Sequence, residues 1–221
     1  MSCWEIRIAT LIGAIVVGLT PPTTTAAEQP GLAIATLETL PVKGRAPKTG
    51  YTRDQFGQAW ADVNRNGCDT RNDMLKRDLT AIVYKAGTRN CVVASGTLLD
   101  RYSGETINFV RGNVTSMEVQ IDHVVALSNA GQTGAVKLTA EQRKALANDP
   151  INLFAVKGRL NSQKGDGDAA TWLPPLKSFR CAYVAQQIAV KAKYSLWVVP
   201  PEKAAMLSIL AKCPTQKLPV S

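Results

Sequence analysis

The sequence predicts an α+β fold, a single domain with a small antiparallel sheet and flanking helices. Three observations carry that prediction. Helical patterns occupy the beginning and the end of the domain, while runs rich in β-branched residues occupy its middle. No segment repeats at a fixed period. Once the N-terminal Cys3 is set aside, an even number of cysteines remains, enough for two disulfides.

Residues 1–27 carry Arg7, an apolar run from Ile8 to Leu19 and small residues at a cleavage position near Ala27, the arrangement of a secretory signal peptide. The alternative, an uncleaved anchor, is disfavoured because Pro21 and Pro22 break the run before it reaches a comfortable span. The protein is therefore expected to be secreted, with no stable membrane association after cleavage. Residues 28–50 mix Pro, Gly, Thr and Lys without a sustained period and read as a flexible leader. The domain is expected over residues 51–214, with a tail at 215–221.

Within the domain, "YTRDQFGQAWADV" spaces Phe56, Trp60 and Val63 as one helical face after Thr52, a capping residue, and "TRNDMLKRDL" predicts a second short helix. "AIVY", "CVVASGTLL" and "TINFV" read as strands parted by glycine-containing turns, and a fourth strand, "MEVQI", delivers Asp122 and His123. "TAEQRKALAND" opens with Thr139 and Gln142 in capping-box spacing. After "INLFAV" and "GRLNSQK" comes the longest helical candidate, "SFRCAYVAQQIAVKAKYSLW", with Ala182, Ala185, Ala189 and Ala192 on one face. "PPEKAAMLSILAKC" closes the domain, its prolines placed where helix N-termini accept them.

Cys68, Cys91, Cys181 and Cys213 allow three connectivities; pairing Cys68 with Cys91 and Cys181 with Cys213 closes two local loops and is favoured. None has CxxC spacing, which argues against a thiolate zinc site, and paired cysteines argue against a papain-like nucleophile. A single histidine disfavours a zinc hydrolase. The formal net charge of +9 favours polyanionic partners: nucleic acid, acidic polymers or anionic lipid.

That histidine sits in "VQIDHVVAL", directly after an aspartate. A carboxylate holding a neutral buried imidazole explains such a pair structurally, and on the pair alone that reading prevails. The residues that follow shift the balance. "NDPINLFAV" sets Asn152 before a short apolar strand, and "GRLNSQKGDGD" sets Asn161 three residues before Lys164 on a short helix.

The set "IDHVVAL", "NDPINL" and "NSQK" resembles the HNH nucleases of the ββα-metal superfamily, in a variant whose last position is Asn. More narrowly, the chain from "GYTRDQFGQAW" to "VKAKY" resembles secreted, disulfide-bearing bacterial proteins related to the C-terminal nuclease domain of GmrSD-type restriction enzymes. The resemblance implies a ββα-metal core and a metal-dependent endonuclease that hydrolyses phosphodiester bonds. It implies His123 as general base, Asp122 and Asn161 as oxygen ligands of Mg²⁺ or Mn²⁺, and Asn152 as the residue holding the loop that orients His123. A hard divalent cation suits oxygen donors, and a base that activates water is what the hydrolysis asks for. Lys164, one helical turn from Asn161, is expected to meet the phosphate. The connection between His123 and Asn152 is longer than HNH proteins commonly have, and Asn148 is the alternative for the loop-holding role.

One segment points elsewhere. In "DVNRNGCDTRND", Asp62, Asn64, Asn66, Gly67 and Asp73 follow the spacing of a calcium loop. Arg65 and Arg71 inside the loop and the scarcity of carboxylates lower its cation affinity. The preferred reading is a loop pinned by Cys68 that presents Arg71, with Asp69, to the substrate. Lys157 and Arg159 are candidate phosphate contacts, although a solvated basic face looks the same. Asp166 and Asp168 in "GDGD" read as a turn before a metal site, and Trp172 as a packing aromatic.

The expectation is a secreted endonuclease of low sequence specificity acting on nucleic acid, DNA before RNA, with no small-molecule cofactor beyond the metal. The alternative is an exported binding or cell-envelope module for an acidic polymer or protein partner, with calcium binding through residues 62–73.

Overall fold

The computed structural model describes Met1, residues 31–113 and residues 115–220. The signal-peptide reading of residues 1–27 thus lies outside the described residues, save Met1. Among the described residues no helix is long and apolar enough to cross a membrane.

The architecture is α+β, with two small antiparallel sheets. The first has three strands in sequence order, β1 (Leu79–Tyr84), β2 (Val93–Leu99) and β3 (Thr106–Val110). The second is a two-stranded ribbon of β4 (Val119–His123) and β5 (Leu153–Lys157). Helix α1 (Ala33–Thr39) precedes the sheets and α2 (Thr70–Asp78) leads into β1, with α3 (Leu127–Gln132) and α4 (Ala140–Asn148) inserted between the ribbon strands. Helix α5 (Gly158–Lys164) follows β5 directly, and α6 (Arg180–Lys193) and α7 (Pro200–Leu210) close the fold.

Helix α2 packs Met74 and Leu75 against Leu98 and Phe109 of the first sheet and Ile121 and Leu153 of the second, so it joins the two sheets through one apolar cluster. Its N-terminus is capped by Asp69, which accepts from Asn72 N at 2.8 Å. On α4 the capping box forms as its spacing predicts: Gln142 N donates to Thr139 Oγ1 at 3.2 Å, and Thr139 N to Gln142 Oε1 at 2.9 Å. The cysteines pair as favoured, Cys68 with Cys91 and Cys181 with Cys213.

Three expectations are corrected. The helix expected across "YTRDQFGQAWADV" reduces to one 3₁₀ turn, Arg53–Phe56. Gly57 (φ 77°) and Trp60 (φ 57°) turn the chain because Phe56 and Trp60 enter different apolar clusters, while Val63 stays exposed. The leader expected over residues 28–50 is tied to the fold through part of its length. Ala33, Leu37 and Leu40 of this segment are buried against α6 and α7, and Arg45 is ion-paired with the buried Asp168. The tail expected at 215–221 is likewise tied down, Ala33 N donating to Gln216 O at 2.8 Å and Leu218 N to Gly31 O at 2.9 Å.

Candidate functional site

The ribbon and the helix behind it bring the site together. Across the β4–β5 ladder Asp122 faces Phe154 and His123 faces Leu153, at the end of β4 where the chain leaves the sheet. Neighbouring strand residues project to opposite faces. Asp122 meets Tyr102 and Lys164 on one face, and His123 meets Trp60 and α4 on the other. Because the strand ends there, both residues still line one cavity of about 110 Å³, together with Arg53, Asn161 and Gly165. A second cavity of about 80 Å³ lies against His123, Trp60, Arg53, Ala147 and Asn148.

His123 is buried and held on two sides. Its ring stacks on Trp60, with centroids 5.7 Å apart and planes within 12°. Its Nε2 lies 2.8 Å from Ala147 O. A carbonyl only accepts, so Nε2 carries the proton and the neutral ring keeps its lone pair on Nδ1. No described residue donates to Nδ1. Burial pushes the imidazole down to about 3; Arg53 and Lys164 act in the same direction, and the Ala147 hydrogen bond acts against it.

Asp122 takes a donor on each oxygen, Tyr102 Oη at 2.5 Å on Oδ2 and Lys164 Nζ at 2.9 Å on Oδ1. Burial, and then the adjacent Asp122, push the Tyr102 hydroxyl well above its ordinary value, so it stays a donor. Lys164 also donates to His123 O at 2.8 Å and is fully buried. Where the resemblance implies a phosphate contact, the structure has the Lys164 ammonium bound to the strand end and to Asp122. A buried ammonium needs such partners, and the carboxylate is what makes the burial tolerable.

Asn161 Nδ2 donates to Gln120 Oε1 at 2.8 Å, and no described residue donates to Asn161 Oδ1. Among the described residues no three His, Cys, Asp or Glu converge on a metal position. A cation here would rest on Asp122 and Asn161, a two-oxygen set that suits a hard ion keeping its waters and taking phosphate oxygens. Each Asp122 oxygen retains a second lone pair, so the residues fit such an ion, with Lys164 weakening the hold.

Asn152 is fully buried and clamps the turn after β4. Val125 N donates to its Oδ1 at 2.8 Å, and its Nδ2 donates to Val125 O and Leu146 O, both at 3.3 Å. Asn148, the alternative, bonds only within its own helix, to Lys144 O, and its buried Oδ1 has no partner.

The expected substrate contacts divide. Lys157 pairs with Glu105 at 2.6 Å at the opposite end of the ribbon from His123. Arg159 is exposed at the start of α5. Arg71 is half-buried, lines neither cavity, and has its pKa lowered by burial and then by Arg111. Asp69, expected beside it, is occupied as the α2 cap. The 62–73 loop closes on itself: Asp62 accepts from Asn66 N and Gly67 N, and Asn66 Nδ2 donates to Asp73. Among the described residues no α-helix leads directly into it. Asp166 and Asp168 pair with Lys48 and Arg45, and Trp172 packs edge-on against Tyr102, as a turn and a packing aromatic should. Sequence reasoning does not reach Tyr102, Trp60 as the partner of His123, or Arg53, since the helical spacing of residues 51–63 gives Trp60 and Arg53 no contact with the histidine.

The family model for the C-terminal domain of GmrSD restriction endonucleases matches residues 69–209. A protein named "Uncharacterized secreted protein" from Arthroderma benhamiae (strain ATCC MYA-4681 / CBS 112371) is 36% identical over 208 residues, covering 92% of this chain and 97% of that protein. That relative is fungal, so the likeness is not confined to bacterial proteins. No solved structure matches the chain.

Proposed function

This chain belongs to the family of the GmrSD restriction endonuclease C-terminal domain, and from that premise we propose that it is a secreted, metal-dependent endonuclease with a histidine base. The observation that carries the reading is the shared cavity of Asp122, His123 and Asn161, in which a neutral imidazole has Nε2 tied to Ala147 O and Nδ1 without a protein partner. Nδ1 of His123 takes a proton from water as its oxygen attacks phosphorus in line with the leaving oxygen. Trp60 and Ala147 hold the ring in that orientation, and Asn152 holds the turn that carries it. The bare imidazole, near 3, is a weak base; an anionic phosphate seated beside it raises its proton affinity towards the range that transfer at neutral pH requires. A divalent cation, Mg²⁺ or Mn²⁺, held by Asp122 and Asn161 would supply charge to the phosphate and the leaving oxygen.

Nucleic acid is the substrate class, DNA before RNA. The net charge of +9 supports attraction to a polyanion, and among the described residues no base-reading helix stands apart from the domain, which supports low sequence specificity. Export is supported by the N-terminal signal pattern, the two disulfides and the secreted relative. The test is plasmid nicking by the disulfide-bonded protein from residue 28 onward with Mg²⁺, Mn²⁺, Ca²⁺ or EDTA. We expect cutting that needs the metal, that His123→Ala abolishes, and that Asn161→Ala reduces at least about a hundredfold. DNA binding without cutting under every metal would replace this reading by the binding module.

A further inference from the structure

We propose that Arg53, which lies ahead of the segment matching the family model, is the residue that grips the scissile phosphate. The inference rests on the nuclease reading of the same site and assigns it a substrate contact.

Arg53 stands on a turn that is fixed from below. Phe56, 2% exposed, anchors the turn among Leu127, Leu146 and Ala147 of the insertion between β4 and β5. Arg143 Nε on α4 donates to Gln55 O at 2.7 Å, and Gln55 Nε2 to Gly50 O at 2.8 Å. The same insertion provides the carbonyl that holds His123. It therefore serves two purposes, orienting the base and seating the turn that carries Arg53 beside it.

Arg53 lines both cavities that flank His123. Its side chain is exposed and makes no hydrogen bond or ion pair with the described residues. Arg45, Arg77, Arg101, Arg111 and Arg143 are each bonded to a carboxylate, amide or carbonyl of the chain. Asp54, the acidic neighbour in the smaller cavity, is not paired with it. Lys164 cannot serve instead, since its ammonium is bound to Asp122 and His123 O. A planar guanidinium on a fixed turn, with its donors unused, matches two non-bridging phosphate oxygens, and it places positive charge where the pentacoordinate phosphate gathers negative charge.

The test uses two measurements. In the non-cutting His123→Ala background, in EDTA, binding of a short DNA duplex is followed by anisotropy as salt is raised. Arg53→Gln is expected to lower the slope of log K against log salt by about 1, while Arg53→Lys keeps it. With His123 intact and Mg²⁺ present, Arg53→Gln is expected to lower kcat by about 10²–10³, with partial recovery in Arg53→Lys. Near-UV circular dichroism checks that the variants keep the wild-type fold, as the exposure of Arg53 leads us to expect. An unchanged slope and unchanged kcat in Arg53→Gln, with wild-type protein cutting normally, would overturn the proposal and leave the nuclease reading intact. A wild-type protein that never cuts, together with a slope that still drops in Arg53→Gln, would remove the nuclease reading and keep the phosphate contact.

Discussion

His123 is a buried imidazole held neutral by its surroundings, and that has a consequence for stability. Its value near 3 in the folded protein lies below the ordinary 6.5. Between those values the unfolded chain binds a proton that the folded chain does not, so folding weakens as pH falls from about 6.5 towards 3, with a slope of up to ~1.4 kcal/mol per pH unit. Urea unfolding in EDTA at several pH values should show wild type losing stability over this window faster than His123→Ala. Parallel profiles would refute the assignment. At this scale the proposed Asp122–His123 pair was legible because the sequence holds one histidine and its partner is the preceding residue. Tyr102 and Trp60 were not, because their contacts with Asp122 and His123 join residues far apart in the chain. The burial of Lys164 was not legible either: a lysine is expected at the surface, and only the buried Asp122 carboxylate reverses that expectation.

Helix α5, which carries Asn161, approaches β4 closely at Gly158. A Cβ there would sit 1.9 Å from Met117 O and 3.1 Å from Gln120 Nε2, the side chain that also holds Asn161. Gly158→Ala should therefore push α5 away from β4 and cost about 1–3 kcal/mol. It should also lower cleavage further than the lost stability explains, read as kcat measured well below the melting temperature. Normal activity in a folded Gly158→Ala protein would show that the close approach is dispensable. Strands β1 to β5 and helices α2, α4, α6 and α7 were legible from periodicity and caps, since both signals are local. The expected helix before Cys68 failed because its aromatic spacing fits one face, yet the two rings join different apolar clusters.

At the scale of the molecule, the segment before the domain is part of the core. Leu37 and Leu40 are buried against α6 and α7, and burying two leucines contributes about 3–6 kcal/mol. A protein beginning at residue 51 should melt well below one beginning at residue 28; equal melting temperatures would show that α1 is an accessory. Breaking the Cys181–Cys213 pair should cost about 2–4 kcal/mol while leaving cleavage intact at low temperature, because α6 and α7 are stapled on the side of the fold packed by α1. The sequence by itself determined the α+β class, the order of nearly every element, two disulfide-ready pairs, and the Asp122, His123, Asn152 and Asn161 series, because periodicity, covalent adjacency and spacing are properties of short stretches of chain. Only the tertiary structure decided that the leader is packed, that Lys157 and Lys164 are taken by carboxylates, and that Arg53 stands unpaired beside His123. Charge pairing and burial depend on which distant segments meet, and no local pattern encodes that meeting.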